Sequence, residues 1–319
     1  MGREAVVGPA APGQRRLLPR KTNVKRVFPH LALLILLAAR PASAHPAWGI
    51  VVDPEGRVVF SEVTTNSVWR VEKDGELVRL VTGRHSHDLF EDAQGTLHGE
   101  HVTYDRGRWL RSNWRLDPSG RFETPSAPPA EVVRAQRTSE RLAAVNARVW
   151  GPEGELYVTD GQAVRRIDAD GKVTTLGGDP LAGVSHGEHP RLLGLAVTPT
   201  RTILVADADH GVVREIAPGF DVVELFRSGP LWSPAGVTVA PDGGVYILES
   251  RPENLLMLLE RIGPWARVRK WKGDGLETVA VLGGWERAVA VGMAAALAAL
   301  ILILLRQRAW RRGAGEGSA

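Results

Sequence analysis

The sequence predicts an all-β fold: a β-propeller with five recognisable four-stranded blades and room for a sixth, followed by one C-terminal transmembrane helix. Three observations predict it. A phrase of apolar strand, Pro/Asp/Gly turn and second strand ending in an acid recurs along the chain. Each copy leads on to a further strand, turn and strand, at a spacing that suits propeller blades. Near the C-terminus, residues 288–305 form an apolar run without a charge.

The phrase reads GIVVDPEGRVVFSEV from Gly49, ARVWGPEGELYVTD from Ala147, GLAVTPTRTILVAD from Gly194 and GVTVAPDGGVYILES from Gly236. HDLFEDAQGTLHGEH from His87 is a degenerate copy. Apolar residues two apart, such as Val58/Phe60 and Leu156/Val158, give the period of half-buried strands. Pro presets one dihedral of each turn and Gly accepts a positive φ in it. The segment from Ser126 to Val145 breaks the pattern and reads as a short helix, standing in for a sixth blade or beside a degenerate one. Acids close the second strands at Glu62, Glu100, Asp160, Asp207 and Glu249. Because the place is the same in every copy, they are expected to fix the following turn by accepting backbone N–H bonds.

The ends read as targeting segments. Basic residues, the short apolar run LALLILLAA from Leu31 and then Ala42-Ser43-Ala44 form a secretory signal over residues 1–44, with the mature chain starting at His45. The propeller is expected over residues 45–284, the transmembrane helix over 285–305 and a short basic cytoplasmic tail over 306–319. Trp285 and Trp310 flank the span, and Arg306, Arg308, Arg311 and Arg312 place the tail inside the cell. The formal charge of +4 is concentrated at these ends: eight Lys/Arg against one Glu in the first 44 residues, four Arg against one Glu in the tail. The propeller itself is therefore acidic, which argues against nucleic acid as a partner. No cysteine is present, so disulfides, zinc-thiolate sites and a cysteine nucleophile are excluded.

In a four-stranded blade the turns between strands one and two and between three and four lie on one face of the ring. The other connections lie on the opposite face. The Gly turns occupy the first. His85, His87, His101, His186, His189 and His210 fall on the second, with Asn146, Glu188, Glu100 and Asp207. Neutral imidazoles converging there would suit a divalent metal. The candidate ligands are His87, His101, His186 and His189, with Asn146 and Glu100.

YVTDGQAVRRIDADGKVTTLGG from Tyr157 and LVADADHGVVREI from Leu204 resemble NHL repeats. The whole domain is similar to the superfamily of gluconolactonase/regucalcin-type and strictosidine-synthase-like propellers. That resemblance implies a ring, usually of six blades, and one divalent metal ion, zinc or calcium. Amidating lyases with NHL repeats hold zinc through histidines at the channel, whereas gluconolactonases use one Glu and Asn/Asp ligands. Asn146 matches the channel Asn of the latter, while the first-blade Glu is replaced by His45-Pro46-Ala47-Trp48. The lyase's arginine and tyrosine have no clear counterparts, but Tyr104 and Arg191 stand on the corresponding face.

The expected protein is thus a single-pass, extracytoplasmic propeller acting as a ligand- or protein-recognition module at the membrane. Its partner would be a membrane protein or a lipid-borne ligand. The alternative is a metal-dependent hydrolase or lyase that uses the histidine face.

Overall fold

The computed structural model describes residues 46–176, 191–251, 264–283 and 297–307, apart from 93, 126, 128, 129, 143, 144, 220, 274 and 298. Among them are five four-stranded antiparallel sheets, each in sequence order. Blade 1 holds β1 (Ile50–Val52), β2 (Val58–Glu62), β3 (Ser67–Val71) and β4 (Leu77–Thr82). Blade 2 holds β5 (Leu89–Glu91), β6 (Leu97–Asp105), β7 (Arg108–Leu116) and β8 (Phe122–Glu123). Blade 3 holds β9 (Val145–Trp150), β10 (Leu156–Asp160), β11 (Ala163–Ile167) and β12 (Val173–Leu176). Blade 4 holds β13 (Leu192–Val197), β14 (Ile203–Asp207), β15 (Val212–Ile216) and β16 (Val222–Arg227). Blade 5 holds β17 (Ser233–Val239), β18 (Val245–Ser250), β19 (Pro264–Lys272) and β20 (Gly275–Gly283).

The core lies between blades. Ile50, Val58 and Phe60 of blade 1 pack against Tyr246, Leu248 and Val268 of blade 5, joining the last blade to the first. Val59, Val68 and Val81 meet Leu89, Leu97 and Trp114 between blades 1 and 2. Blades 3 and 4, and blades 4 and 5, share similar layers around Val205 and Ile247. Blade 3 departs from the rule on its other side. There Leu156, Val158 and Ile167 are covered by Ala135 and Leu142, from and just after the short helix α1 (Ala130–Gln136). The irregular segment is therefore a helical wedge against blade 3, not a further sheet.

At the centre, the repeat's leading glycine is explained by crowding. A Cβ on Gly194 would meet Gly236 Cα at 2.5 Å, and one on Gly236 would meet the Trp48 carbonyl oxygen at 2.4 Å. One on Gly49 would meet Leu89 N at 2.6 Å. Each points at the backbone of the next blade, so inner strands can close up only where no side chain stands.

The span expected over 285–305 falls mostly outside the described residues. Leu297 and residues 299–307 are helical and exposed. Among the described residues no helix is long and apolar enough to cross a membrane. The expected signal over 1–44 also lies outside them.

Candidate functional site

The innermost strands surround a central cavity of about 270 Å³, lined by residues of all five blades, including Trp48, Asp88, Glu91, Arg148 and Thr238. Residues 84–87 link blades 1 and 2 on the histidine face, just ahead of Asp88, which lines the cavity. Their backbone is tied down: Arg84 N donates to Asn66 O, Val102 N to His85 O, and both Trp48 N and Gly49 N to His87 O. Ser86 is buried, and its hydroxyl accepts the Trp114 indole N–H at 2.9 Å. Trp114 needs Gly99 beside it, because a Cβ there would stand 2.3 Å from the indole ring.

That rigid link projects two imidazoles at one another. His85 Nε2 and His87 Nε2 are 3.1 Å apart, and His85 Nδ1 is 2.9 Å from Asn66 Oδ1. An amide oxygen only accepts, so Nδ1 of His85 carries hydrogen. In the neutral pair Nε2 of His85 then accepts and Nε2 of His87 donates. His87 is buried and stacks on Trp48, with centroids 4.9 Å apart at 15°. Among the cavity-lining residues, Arg148 stands 3.8 Å from Asp88. The rim therefore offers an aromatic surface, a cation, a carboxylate and a proton-sharing pair.

The candidate ligands fare differently. His87 lies in the connection before β5, beside His85. His101 lies inside β6, not in a connection, and its Nδ1 accepts the His85 backbone N–H at 2.9 Å. Burial, then Arg84, lowers its basicity. His186 and His189 lie outside the described residues. Glu100 is also inside β6 and pairs with Arg111 at 3.1 Å. The Asn146 amide donates to Leu192 O at 3.0 Å, clipping blade 3 to blade 4. Arg191 pairs with Asp209 at 2.6 Å. Tyr104 is at the tip of the β6–β7 hairpin, against Trp109.

Two nitrogens 3.1 Å apart nearly match the ~3.3 Å between two ligands of one tetrahedral zinc. Among the described residues, however, no group of three His, Cys, Asp or Glu could hold an ion. The described residues alone do not fit a metal.

Two of the recurring acids, Glu62 and Asp207, hold the following turn. Glu62 accepts from the backbone of Thr64 and Thr65, and Asp207 from that of His210. Four of the five also meet an arginine of the third strand: Glu100–Arg111, Asp160–Arg165 at 3.3 Å, Asp207–Arg214 at 2.8 Å and Glu249–Arg267 at 2.6 Å. These pairs were readable from the repeat, since an arginine follows each of those acids on the next strand.

The ring is similar to solved β-propellers. A virginiamycin B lyase from Staphylococcus aureus is 15% identical with a TM-score of 0.34, over 73% of this chain and 69% of that one. A gluconolactonase from Xanthomonas campestris is 20% identical with a TM-score of 0.40, over 78% and 83%. No protein-family model and no curated protein matches the sequence. Likeness of this degree carries no argument about chemistry, and the five-bladed ring rests on the strand pairing above.

Proposed function

We propose that the protein is a membrane-tethered, extracytoplasmic recognition propeller that binds a small polar ligand at the histidine-face mouth of its channel. The reading rests on a cavity of about 270 Å³ lined by Trp48, Asp88 and Arg148, with His87 stacked on Trp48 and His85 against His87. The mouth is pre-organised by backbone bonds, so little ordering entropy is lost on binding. The signal over 1–44, the apolar run and the basic tail support export and a single span. A thermal-shift screen of polyols and small carboxylates tests the reading. A ligand should stabilise the full chain, and His87→Ala and Trp48→Ala should each abolish that shift. A ligand whose effect survives both changes contradicts the site.

A second reading is a hydrolase or lyase at the same mouth, favoured by the His85–His87 contact. That pair could pass one proton between substrate and solvent. If the enzyme is metal-dependent, His186 and His189 would have to supply the missing ligands, and imidazole donors favour zinc over calcium. Stoichiometric zinc in the purified chain, lost in His87→Ala, supports this reading. Metal-free protein that binds its ligand fully supports the first.

A further inference from the structure

One feature of blade 2 plays no part in the ring. Strands β6 and β7 have nine residues each, where the second and third strands of blades 1, 3 and 4 have five. Strand β5 pairs with β6 only as far as Gly99, and β8 pairs only with Arg115 and Leu116. Val102 N still bonds His85 O, and from Thr103/Leu110 to Asp105/Arg108 the two strands pair with each other alone. These residues carry the ribbon about 10 Å beyond the blade. Strand β6 runs away from the Gly turn at Gly95, so the ribbon projects from the histidine face.

Its tip is apolar on both sides. Tyr104 and Trp109 are opposite each other in register, with rings 5.0 Å apart, and are 63% and 64% exposed. Leu110, opposite Thr103, is on the other side and is 49% exposed. Arg106 and Arg108 surround these residues against the single acid Asp105, and Arg111 lies behind them, paired with Glu100. The turn Arg106-Gly107 has positive φ at both positions, 46° and 82°, the geometry that keeps a twisted two-stranded ribbon tight. A non-glycine residue at such a φ is disfavoured. Leu231, in the connection between blades 4 and 5, is a further exposed apolar residue on the same face.

We propose that the β6–β7 tip docks into the headgroup region of an anionic bilayer, with Tyr104, Trp109 and Leu110 at the interface and the arginines on lipid phosphates. This rests on the tethered reading above. A flat protein surface would cover only one side of the ribbon, whereas an interfacial layer surrounds both. Trp and Tyr rings suit that layer, and the tip's arginine excess complements anionic lipid. The chain supplies a further reason: β20 ends at Gly283 on this face, only five residues before the uncharged run that starts at Ala288. Five residues span at most about 18 Å, which keeps the face near any membrane that the run enters.

The chain has no cysteine, so single-cysteine labelling of the full chain is direct. Leu110→Cys and Lys73→Cys, the latter on the Gly-turn face, carry an environment-sensitive dye in vesicles of phosphatidylcholine with or without phosphatidylglycerol. The Leu110 dye should be quenched by lipid-attached nitroxide at least several-fold more than the Lys73 dye, and more so with phosphatidylglycerol. Trp109→Ala with Tyr104→Ala should reduce that quenching. A chain that floats with the vesicles while its Leu110 dye is no more quenched than the Lys73 dye overturns the docking and leaves the tether intact. This is also the result expected if the tip serves a protein partner. A chain that does not float with phosphatidylcholine contradicts the tether. The docking then requires flotation with phosphatidylglycerol, and its absence overturns the inference.

Discussion

His85 and His87 meet through their Nε2 atoms at 3.1 Å while Asn66 holds the far nitrogen of His85. This fixes both tautomers: hydrogen on Nδ1 of His85 and on Nε2 of His87. Nitrogen-15 spectra of histidine-labelled protein above the pair's titration range should show these two forms. Asn66→Ala should release His85 into a tautomer mixture. A wild-type His85 protonated mainly at Nε2 would contradict the arrangement.

The acid–arginine pairs should differ sharply in worth. Glu249 has no exposure and holds Arg267 at 2.6 Å, with Arg269 3.7 Å away. Arg267→Ala would leave a buried carboxylate short of its partner, a loss of about 3 kcal/mol. The exposed Arg227–Glu224 pair should contribute less than about 1 kcal/mol. Urea unfolding of Arg267→Ala and Arg227→Ala measures both, and equal losses would refute the distinction.

Gly236 and Gly56 separate two uses of glycine. Gly236→Ala forces a methyl against the Trp48 carbonyl and should cost about 1–3 kcal/mol by strain at the ring centre. Gly56 has φ +80° with open space around it, so Gly56→Ala should cost about 1 kcal/mol from backbone conformation alone. Crystal structures of the variants would show displaced inner strands only for Gly236→Ala.

Glu91 lines the channel, and burial, then the carboxylates of Asp53, Glu55 and Asp92, push its carboxyl up to about 7 from 4.5. Between those values the folded protein holds a proton that the unfolded chain has lost. Stability therefore falls as pH rises through that window. Glu91→Gln should remove this part of the slope and be more stable than wild type at about pH 8. An unchanged slope in denaturation from about pH 5 to pH 8 would contradict it.

The blades were legible because turn chemistry and alternation are local: Pro54-Glu55-Gly56 and Pro241-Asp242-Gly243 mark their turns without tertiary help. Crowding at the ring centre was not legible from any one copy, since the Cβ clash of Gly194 is with Gly236, in another blade. The site was half legible. His87 could be placed on the correct face by counting strands, but its partner within reach is His85, two residues away, held by Asn66 and Trp48. His101 and Glu100 were misplaced because β6 runs past the end expected from the repeat. The Asn146 amide bonds a neighbouring strand, a long-range contact that no local pattern encodes.

The proposed binding of ligand at the histidine face can be read from the histidines themselves. His98 is an internal control: it sits at the Gly-turn end of β6, bound to Asp92 at 2.8 Å. Histidine-labelled full chain should be titrated with the polyols and carboxylates that stabilise it, following the imidazole resonances. Shifts are expected at His85 and His87 with His98 unchanged. Shifts at His98 while His85 and His87 stay still would place binding on the opposite face and contradict it.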